Sequence, residues 1–341
     1  MNRHYFTNLL LRATVWCMPL FASAQDIHYT NFGWSPLNVS PALTGTFKGD
    51  ARFGVNYRAQ WYNVPVGYST VSGFADFKLG NNILKHRPFR VGAVFAYDQA
   101  GDSRLNNMSL ALTGAYSLPL TKLDFLTVGV SVGGNQRRFN SSDLYFDAQY
   151  IDKQFNPNAP TNESIINGRG GFFDVNWGVN YTRQHQTDRT YIHVGTGSYH
   201  LNRPMRSFES SDSVKIQTRW AIYGTGAVQL TERFDLLVDI IKQVQGPHEE
   251  FVASLGARMH LVNKMTRKLS IEGGIAVRNR DAGVPFFGIN YNQWRASLHY
   301  DVNHSRFVNA SSTIGGPEIS IIYILSKVPP MKYCPMCPTY L

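Results

Sequence analysis

The sharpest chemical motif in the chain is a pair of cysteines near its end, in Cys334-Pro335-Met336-Cys337. This spacing occurs in redox centres and supplies half of a tetrahedral zinc site. The chain has only one other cysteine, Cys17, which lies in a predicted cleaved leader. A four-thiolate zinc site within one mature chain is therefore excluded. Prolines on both sides of the motif favour an extended tail. A redox pair, a local disulfide, and a docking or assembly role remain as alternatives.

No other pattern with the spacing of a catalytic or nucleotide-binding site occurs: the sequence contains no H-E-x-x-H, G-x-G-x-x-G, P-loop or G-x-S-x-G motif. The ten histidines are dispersed, and His193, His260 and His299 fall on faces of predicted strands, where they read as polar residues of a lumen. A lumenal Ser, His and Asn would be needed for an outer-membrane hydrolase, and no spacing in the sequence indicates one. We therefore predict no enzymatic activity, no cofactor and no metal.

Long alternating strands must position these residues. From Val214 to Leu230 the even-numbered residues are mainly apolar and the odd-numbered residues mainly polar, which indicates a strand longer than those of most globular proteins. The same period recurs along the chain, and turn signals separate the runs. Fourteen strands are predicted, at residues 51–58, 67–79, 89–98, 105–117, 124–137, 172–183, 190–200, 214–229, 234–244, 250–262, 268–278, 284–291, 294–302 and 318–326.

The connections that follow odd-numbered predicted strands differ in length from those that follow even-numbered ones. The three longest, at residues 138–171, 201–213 and 303–317, each follow an odd-numbered strand. Connections that follow even strands are short, as at residues 230–233 and 292–293. This pattern predicts an all-β fold, a transmembrane antiparallel up-and-down barrel with its long loops on the extracellular rim. A soluble sandwich or propeller is the alternative, but it predicts shorter strands and no segregation of loop lengths.

The first 24 residues have the organisation of a signal peptide. Arg3 and Arg12 flank the start of a short apolar core, and Ala22-Ser23-Ala24 forms an A-x-A cleavage site. We therefore expect an exported chain that begins at Gln25. The expected parts are a cleaved signal peptide at 1–24, a periplasmic segment at 25–50, a barrel at 51–326 and a periplasmic Pro/Cys tail at 327–341.

Composition excludes several other classes. Charged residues make up 16% of the chain, against roughly 25% in an average soluble domain, and hydrophobic residues 43%. No run of about 18 apolar residues follows the leader, which excludes a bundle of transmembrane helices. The net charge is +10, but Lys and Arg are scattered rather than clustered. Anionic lipid or an acidic partner is therefore a better match for this charge than nucleic acid.

Several short motifs, in their order and spacing, resemble those of a known family. The opening motifs Gln25-Asp26, Asn31-Phe32, Ser35-Pro36-Leu37 and Ser40-Pro41-Ala42, the run Tyr57-Arg58-Ala59-Gln60-Trp61, the stretch from Asp281 to Asp301 and the Pro-Cys-rich end are similar to the PorP/SprF proteins of type IX secretion. Ser35 and Ser40 stand where that family more often has Asn, and Cys337 is an additional cysteine.

The resemblance implies a Bacteroidota-type outer-membrane barrel that works with type IX secretion and with the gliding machinery. It implies two kinds of partner: an adhesin-like secreted surface protein with its own C-terminal targeting domain, and periplasmic components of the machine. A binding or tethering role is the expected function. A passive porin or transporter is the alternative.

A barrel of about fourteen strands leaves a lumen that wall side chains cannot fill alone. The loop at 138–171, the segment at 25–50, water or a partner polypeptide are the candidates to occupy it. We expect the N-terminal segment to enter or lid the lumen from the periplasm, and the tail to dock a periplasmic component. The candidate partner-binding residues are Trp34, Pro41, Arg58, Gln60, Trp61, Arg219, Arg258, Arg295, Cys334 and Cys337.

The docking role of the tail is testable by truncation. Deletion of residues 333–341 is expected to leave a heat-modifiable barrel in the outer membrane, because the tail lacks the alternation of a strand, but to abolish surface display of the cargo. Surface display that survives the truncation would contradict docking. A barrel that fails to assemble would assign the tail to membrane insertion instead.

Overall fold

The computed structural model describes residues 26–60, 67–79, 88–101, 104–139, 144–151, 154–161, 168–185, 188–205, 214–264, 266–304 and 313–326. Fourteen strands close into an antiparallel barrel in which sequential strands pair and the last pairs with the first. Their bounds are β1 (Ala51–Gln60), β2 (Tyr68–Leu79), β3 (Phe89–Ala100), β4 (Leu105–Pro119), β5 (Asp124–Arg138), β8 (Arg169–Gln184), β9 (Tyr191–Tyr199), β10 (Arg219–Gln229), β11 (Phe234–Gln245), β12 (His248–Asn263), β13 (Lys268–Arg278), β14 (Ala282–Tyr291), β15 (Trp294–Asn303) and β16 (Ile314–Leu325). A separate two-stranded hairpin, β6 (Tyr150–Ile151) and β7 (Gln154–Phe155), lies in the longest loop.

The predicted antiparallel barrel is confirmed, and two strand starts differ from the prediction by more than three residues. β10 begins at Arg219 rather than at residue 214, because the preceding residues leave the wall and Ile216 is buried against a cavity in the lumen. β16 begins at Ile314 rather than at residue 318. Its first residues read as a turn because they include Gly315, Gly316 and a proline. In the structure these residues belong to the strand, and Gly316, at φ +146°, lies near a register shift in the pairing with β15.

The two faces of the barrel differ as the alternation predicts. On β1, the outward residues Phe53, Val55 and Tyr57 are exposed, whereas the inward residues Arg52 and Arg58 are buried. The outer surface is therefore apolar and the inner surface polar, which is the reverse of a soluble barrel. Within the described residues, no helix is both long and apolar enough to cross a membrane.

Residues 26–50, which we call the plug, lie inside the barrel. They form three short 3₁₀ turns, at Phe32–Trp34, Pro36–Asn38 and Pro41–Leu43, and are buried from Tyr29 to Gly45 apart from Gly33 and the half-buried Asn38. Phe32, Val39 and Leu43 pack with apolar residues of the wall in one cluster, and Trp34 and Leu37 pack in a second. The lumen, whose occupant the sequence leaves open, is therefore filled largely by the chain itself.

The plug runs through the lumen from one mouth to the other. The backbone N–H of Asp26 donates to Gln245, at the end of β11 on the rim that carries the long loops. The backbone N–H of Asp50 donates to the carbonyl of Leu325 on the opposite rim, at 2.8 Å. The sequence places this segment at the periplasmic mouth, whereas its first residues reach the long-loop mouth. The reason is local: His200 and Arg219 lie there and bind Asp26.

A row of glycines lets the plug lie directly against the wall. Gly129, Gly178 and Gly197 are directly paired neighbours on β5, β8 and β9. A Cβ atom at any of them would come closer than 3.0 Å to plug atoms of residues 39–42. Close approach of the plug is the reason here for all three glycines.

Filling this row should loosen the plug. Gly129→Val is expected to lower the stability of the detergent-solubilised barrel by about 1–3 kcal/mol, because the new side chain overlaps the backbone of Pro41 and Ala42. Gly134→Val on the same strand is the matched control, since its Cβ meets nothing within 4 Å. Thermal unfolding followed by loss of heat-modifiable migration measures the difference. Equal midpoints for the two variants would contradict the contact.

Candidate functional site

One end of the plug is held by a buried group of charges near the long-loop mouth. Arg58, 2% exposed, donates to the carbonyl of His28 at 2.6 Å and to Asp301 Oδ2 at 3.1 Å. The Oδ2 atom of Asp301 also accepts from Arg278 at 2.6 Å. Two cations thus share one carboxylate, and each also binds the plug, because Arg278 Nη1 donates to Thr30 Oγ1 at 2.6 Å.

Glu318 supplies the second carboxylate of this group. Its oxygens accept the backbone N–H groups of Thr30 at 3.1 Å and Asn31 at 2.9 Å, and one lies 3.8 Å from Arg58 Nε. Two consecutive plug amides that would otherwise be buried without acceptors are satisfied in this way. Withdrawing the plug would remove both backbone donors from Glu318 and the carbonyl acceptor from Arg58.

Asp26 is held by a second set of charges at the same mouth. Its Oδ2 lies 2.7 Å from His200 Nε2 and 3.5 Å from Arg219 Nε, and His200 Nδ1 lies 2.9 Å from Asp174 Oδ1. Burial lowers the pKa of His200, but the carboxylates of Asp26 and Asp174 outweigh it and raise the pKa to about 9. Burial raises the pKa of Asp26, but His200 and Arg219 outweigh that effect and hold it well below its usual value. At neutral pH, an imidazolium therefore sits between two carboxylates.

Two further contacts hold the plug toward the short-turn rim. Asp76 accepts from Arg52 Nη2 at 2.7 Å and from the backbone N–H of Gly45 at 2.6 Å. The guanidinium of Arg295 lies 4.5 Å from the centre of the Trp34 ring, a cation–π contact. The plug is thus bound to the wall at both ends and in its middle.

The predicted site residues separate into three groups. Five of them take part in contacts between plug and wall, namely Trp34, Pro41, Arg58, Arg219 and Arg295. Gln60 lines the cavity described below, and Arg258 pairs with Glu272 at 2.7 Å within the wall. Trp61, Cys334 and Cys337 lie outside the described residues, as does the predicted signal peptide.

The sequence did not single out Asp76, His200 or Glu318, although they bind the plug as directly as the predicted arginines do. A signal exists for two of them: Asp76 and Glu318 are lone carboxylates at inward positions of strands whose other face is apolar. A charge at such a position calls for a partner inside the barrel. Which partner it finds does not follow from periodicity.

The plug leaves a sizeable space, a cavity of about 490 Å³ on the long-loop side of the lumen. It lies between Ile27, His28 and Leu37 of the plug and the inward faces of β3, β4, β5 and β8. Residues at strand ends on the long-loop rim, including Gln60 and Leu105, also line it. Among the described residues, no group of three or more His, Cys, Asp or Glu side chains is arranged to hold a metal ion.

Comparison with known proteins assigns the family. The family model described as "Type IX secretion system membrane protein PorP/SprF" matches residues 21–323, which is most of the chain. The chain belongs to the PorP/SprF family. This PorP/SprF protein is accordingly a membrane protein of the type IX secretion system family, as the resemblance of its motifs predicts. No curated protein matches the chain.

Solved structures resemble this PorP/SprF protein in fold only. The Ralstonia pickettii toluene transporter TbuX is 11% identical, with a TM-score of 0.46 over 83% of this chain and 90% of TbuX. The Pseudomonas putida toluene transporter TodX is 10% identical, with a TM-score of 0.48 over 88% of this chain and 93% of TodX. A Pseudomonas aeruginosa FadL homologue is 10% identical, with a TM-score of 0.44 over 83% and 92%.

Release of the plug's first residues should depend on pH. The pKa of His200 in the folded chain, about 9, is above its ordinary value near 6.5. The stabilisation that protonated His200 gives to the folded chain is therefore complete below pH 6.5 and is lost as the pH rises through 9. Asp26 and Asp174 share that stabilisation, and the part that Asp26 supplies is lost when the first residues of the plug are released. Amide hydrogen exchange at residues 26–30, corrected for its intrinsic pH dependence, is expected to accelerate between pH 7 and pH 10. His200→Gln should remove most of this acceleration, and an unchanged pH profile in that variant would contradict the role of His200.

Proposed function

We propose that this protein is a plugged, non-enzymatic outer-membrane barrel that binds or tethers a secreted surface protein carrying a type IX C-terminal targeting domain. Membership of the PorP/SprF family supports the link to type IX secretion. The observation that carries the proposal of a tether is the plug, because a barrel whose lumen is filled by its own chain is suited to binding rather than to conduction.

The contacts of the plug disfavour the alternative, a passive porin or transporter. Removing the plug would break the hydrogen bonds that Arg58 and Asp76 make with plug backbone groups, and the ion pair between His200 and Asp26. It would also expose the apolar side chains of Phe32 and Trp34. Each lost hydrogen bond to a charged group and each newly exposed large apolar side chain costs about 1.5–3 kcal/mol. Spontaneous opening of a wide channel is therefore too costly to support steady diffusion of solutes.

The long-loop rim offers a surface for a protein partner. In the longest loop, Tyr145 and Tyr150 are 76% and 64% exposed, and both rings contact Phe155. Exposed aromatic groups of this kind are enriched where proteins bind proteins. In the orientation that the loop lengths favour, this surface faces the cell exterior, where a secreted cargo is displayed.

The opposite rim would then face the periplasm. The two ends of the barrel wall, at Ala51 and Leu325, are paired there, and the tail at 327–341 continues from the second of them. This topology supports contacts between the tail and periplasmic components of the secretion or gliding machinery. It also agrees with export through a cleaved signal peptide at residues 1–24.

Affinity purification from native outer membrane tests the tether. A tagged chain is expected to retain a large secreted surface protein, identified by mass spectrometry through its C-terminal targeting domain, because the long-loop rim binds it. Tyr145→Ser with Tyr150→Ser should reduce the recovered cargo about tenfold. The matched control is Tyr116→Ser with Tyr291→Ser, a pair of exposed tyrosines on the outer face of the barrel.

Recovery of the barrel with lipid and chaperones alone would contradict the proposal. Equal recovery of cargo with both double variants would move the contact away from the aromatic surface of the longest loop. Heat-modifiable migration of every variant shows that the barrel is folded.

A further inference from the structure

The cavity beside the plug is bounded by a wall of unusually small side chains. Ala96 and Ser109 are directly paired on β3 and β4, and Ala111 is directly paired with Gly133 on β5. All four line the cavity. Larger residues at these inward positions would fill the space between wall and plug. The space is therefore a property of the wall.

A row of polar residues crosses this wall next to the small residues, on the side of the long-loop rim. Thr70, Asp98, Asn107 and Arg137 are successive directly paired neighbours on β2, β3, β4 and β5, so their side chains lie on one face of the sheet. Thr70 donates its hydroxyl to Asp98 Oδ1 at 2.6 Å. The adjacent Asn107 Oδ1 is buried and accepts no hydrogen bond. A buried acceptor without a donor calls for a partner.

Asp98 differs from the other carboxylates that line the cavity. Asp26 and Asp174 both bind His200, at 2.7 and 2.9 Å, and Asp281 binds Arg278 at 2.5 Å. Among the described residues, Asp98 has no cation within ion-pair distance. An ionisable residue within a membrane-spanning strand is by default a candidate for function. Here its neighbour across the strand pair is the unpartnered acceptor Asn107.

From this arrangement we propose that the cavity binds a basic side chain, a lysine ammonium or an arginine guanidinium, presented by a polypeptide at the long-loop mouth. Asp98 binds the charge, and Asn107 Oδ1 accepts a further N–H. The inference rests on the proposed function, in which a protein partner reaches that rim. It adds the chemistry by which the partner is recognised.

The remaining lining of the cavity suits such a side chain. Val94, Leu105 and Phe172 offer apolar surface inside the cavity, against which the methylene groups of Lys or Arg can pack while the charged end binds Asp98. An anionic group would meet the Asp98 carboxylate and bring no N–H donor for Asn107 Oδ1, and a purely apolar ligand would leave Asp98 without a counter-charge and Asn107 Oδ1 without a donor. A ligand that is cationic, rich in N–H donors and apolar along its stem satisfies all three kinds of surface.

Small probes test the site on the full-length, detergent-purified barrel. Nα-acetyl-L-argininamide is expected to bind with a millimolar Kd in calorimetry, and Nα-acetyl-L-citrullinamide, its uncharged isostere, at least tenfold more weakly. Asp98→Asn keeps an acceptor for Thr70 but removes the charge, so it should weaken binding of Nα-acetyl-L-argininamide at least tenfold. Asp147→Asn, at an exposed carboxylate of the longest loop, is the matched control and should change binding less than twofold. Equal binding of the two probes, or no effect of Asp98→Asn, would overturn the proposal.

A peptide probe decides the source of the cation. Acetyl-Gly-Arg-Gly-amide is expected to bind at least as tightly as Nα-acetyl-L-argininamide, because a polypeptide is the proposed bearer of the side chain. Exclusion of this peptide while Nα-acetyl-L-argininamide binds would overturn the polypeptide source and leave a site for small cations.

Cargo capture separates failure of this inference from failure of the proposed function. The wild-type chain should retain its surface protein, and Asp98→Asn should retain at least fivefold less. Full retention by Asp98→Asn would overturn the cation site and leave the tether standing. Absence of cargo from the wild-type preparation would overturn the tether, whatever the probes show.

Discussion

The rest of the structure depends on one constraint, which is that the interior of a closed fourteen-strand wall must be filled and its inward charges must find partners. A barrel of this size encloses more space than its inward side chains can fill, and its inward positions carry charged residues that water alone would have to solvate. The plug meets both requirements. Arg58 illustrates this, because a buried guanidinium on the wall lies beside two wall carboxylates and donates to a plug carbonyl.

The wall is shaped for the plug in return. The glycines at 129, 178 and 197 remove side chains along one row, so that residues 39–42 approach the wall backbone. On neighbouring strands, the small residues at 96, 109, 111 and 133 leave open space that the plug does not enter. Small residues thus serve two different purposes in one lumen, and only the presence or absence of plug atoms distinguishes them.

The barrel wall was predictable from the sequence because lipid outside and polar groups inside impose a period of two on every strand. The outward Phe53, Val55 and Tyr57 carry that signal without reference to any distant residue. The largest errors lie where the alternation begins before the strand pairing does, as at residues 214–218, or where glycines belong to a strand, as before Pro317.

The path of the plug was not predictable in the same way. Its 3₁₀ turns have no periodicity, and its partners are remote: the amide of Thr30 binds a carboxylate 288 positions away. The candidate residues Arg58, Arg219 and Arg295 stood out in the sequence, but their types alone did not reveal that they bind the chain's own N-terminal segment. The partner-binding role of Cys334 and Cys337 stays a prediction, as does the docking role of the tail.

The most direct test of a barrel closed by its own chain is ion conductance in a planar lipid bilayer. The purified full-length protein is expected to give no steady channels, whereas a folded variant lacking residues 29–43 should give channels of porin size, because those residues fill the lumen. Steady conductance of the full-length protein equal to that of the deletion variant would contradict the account.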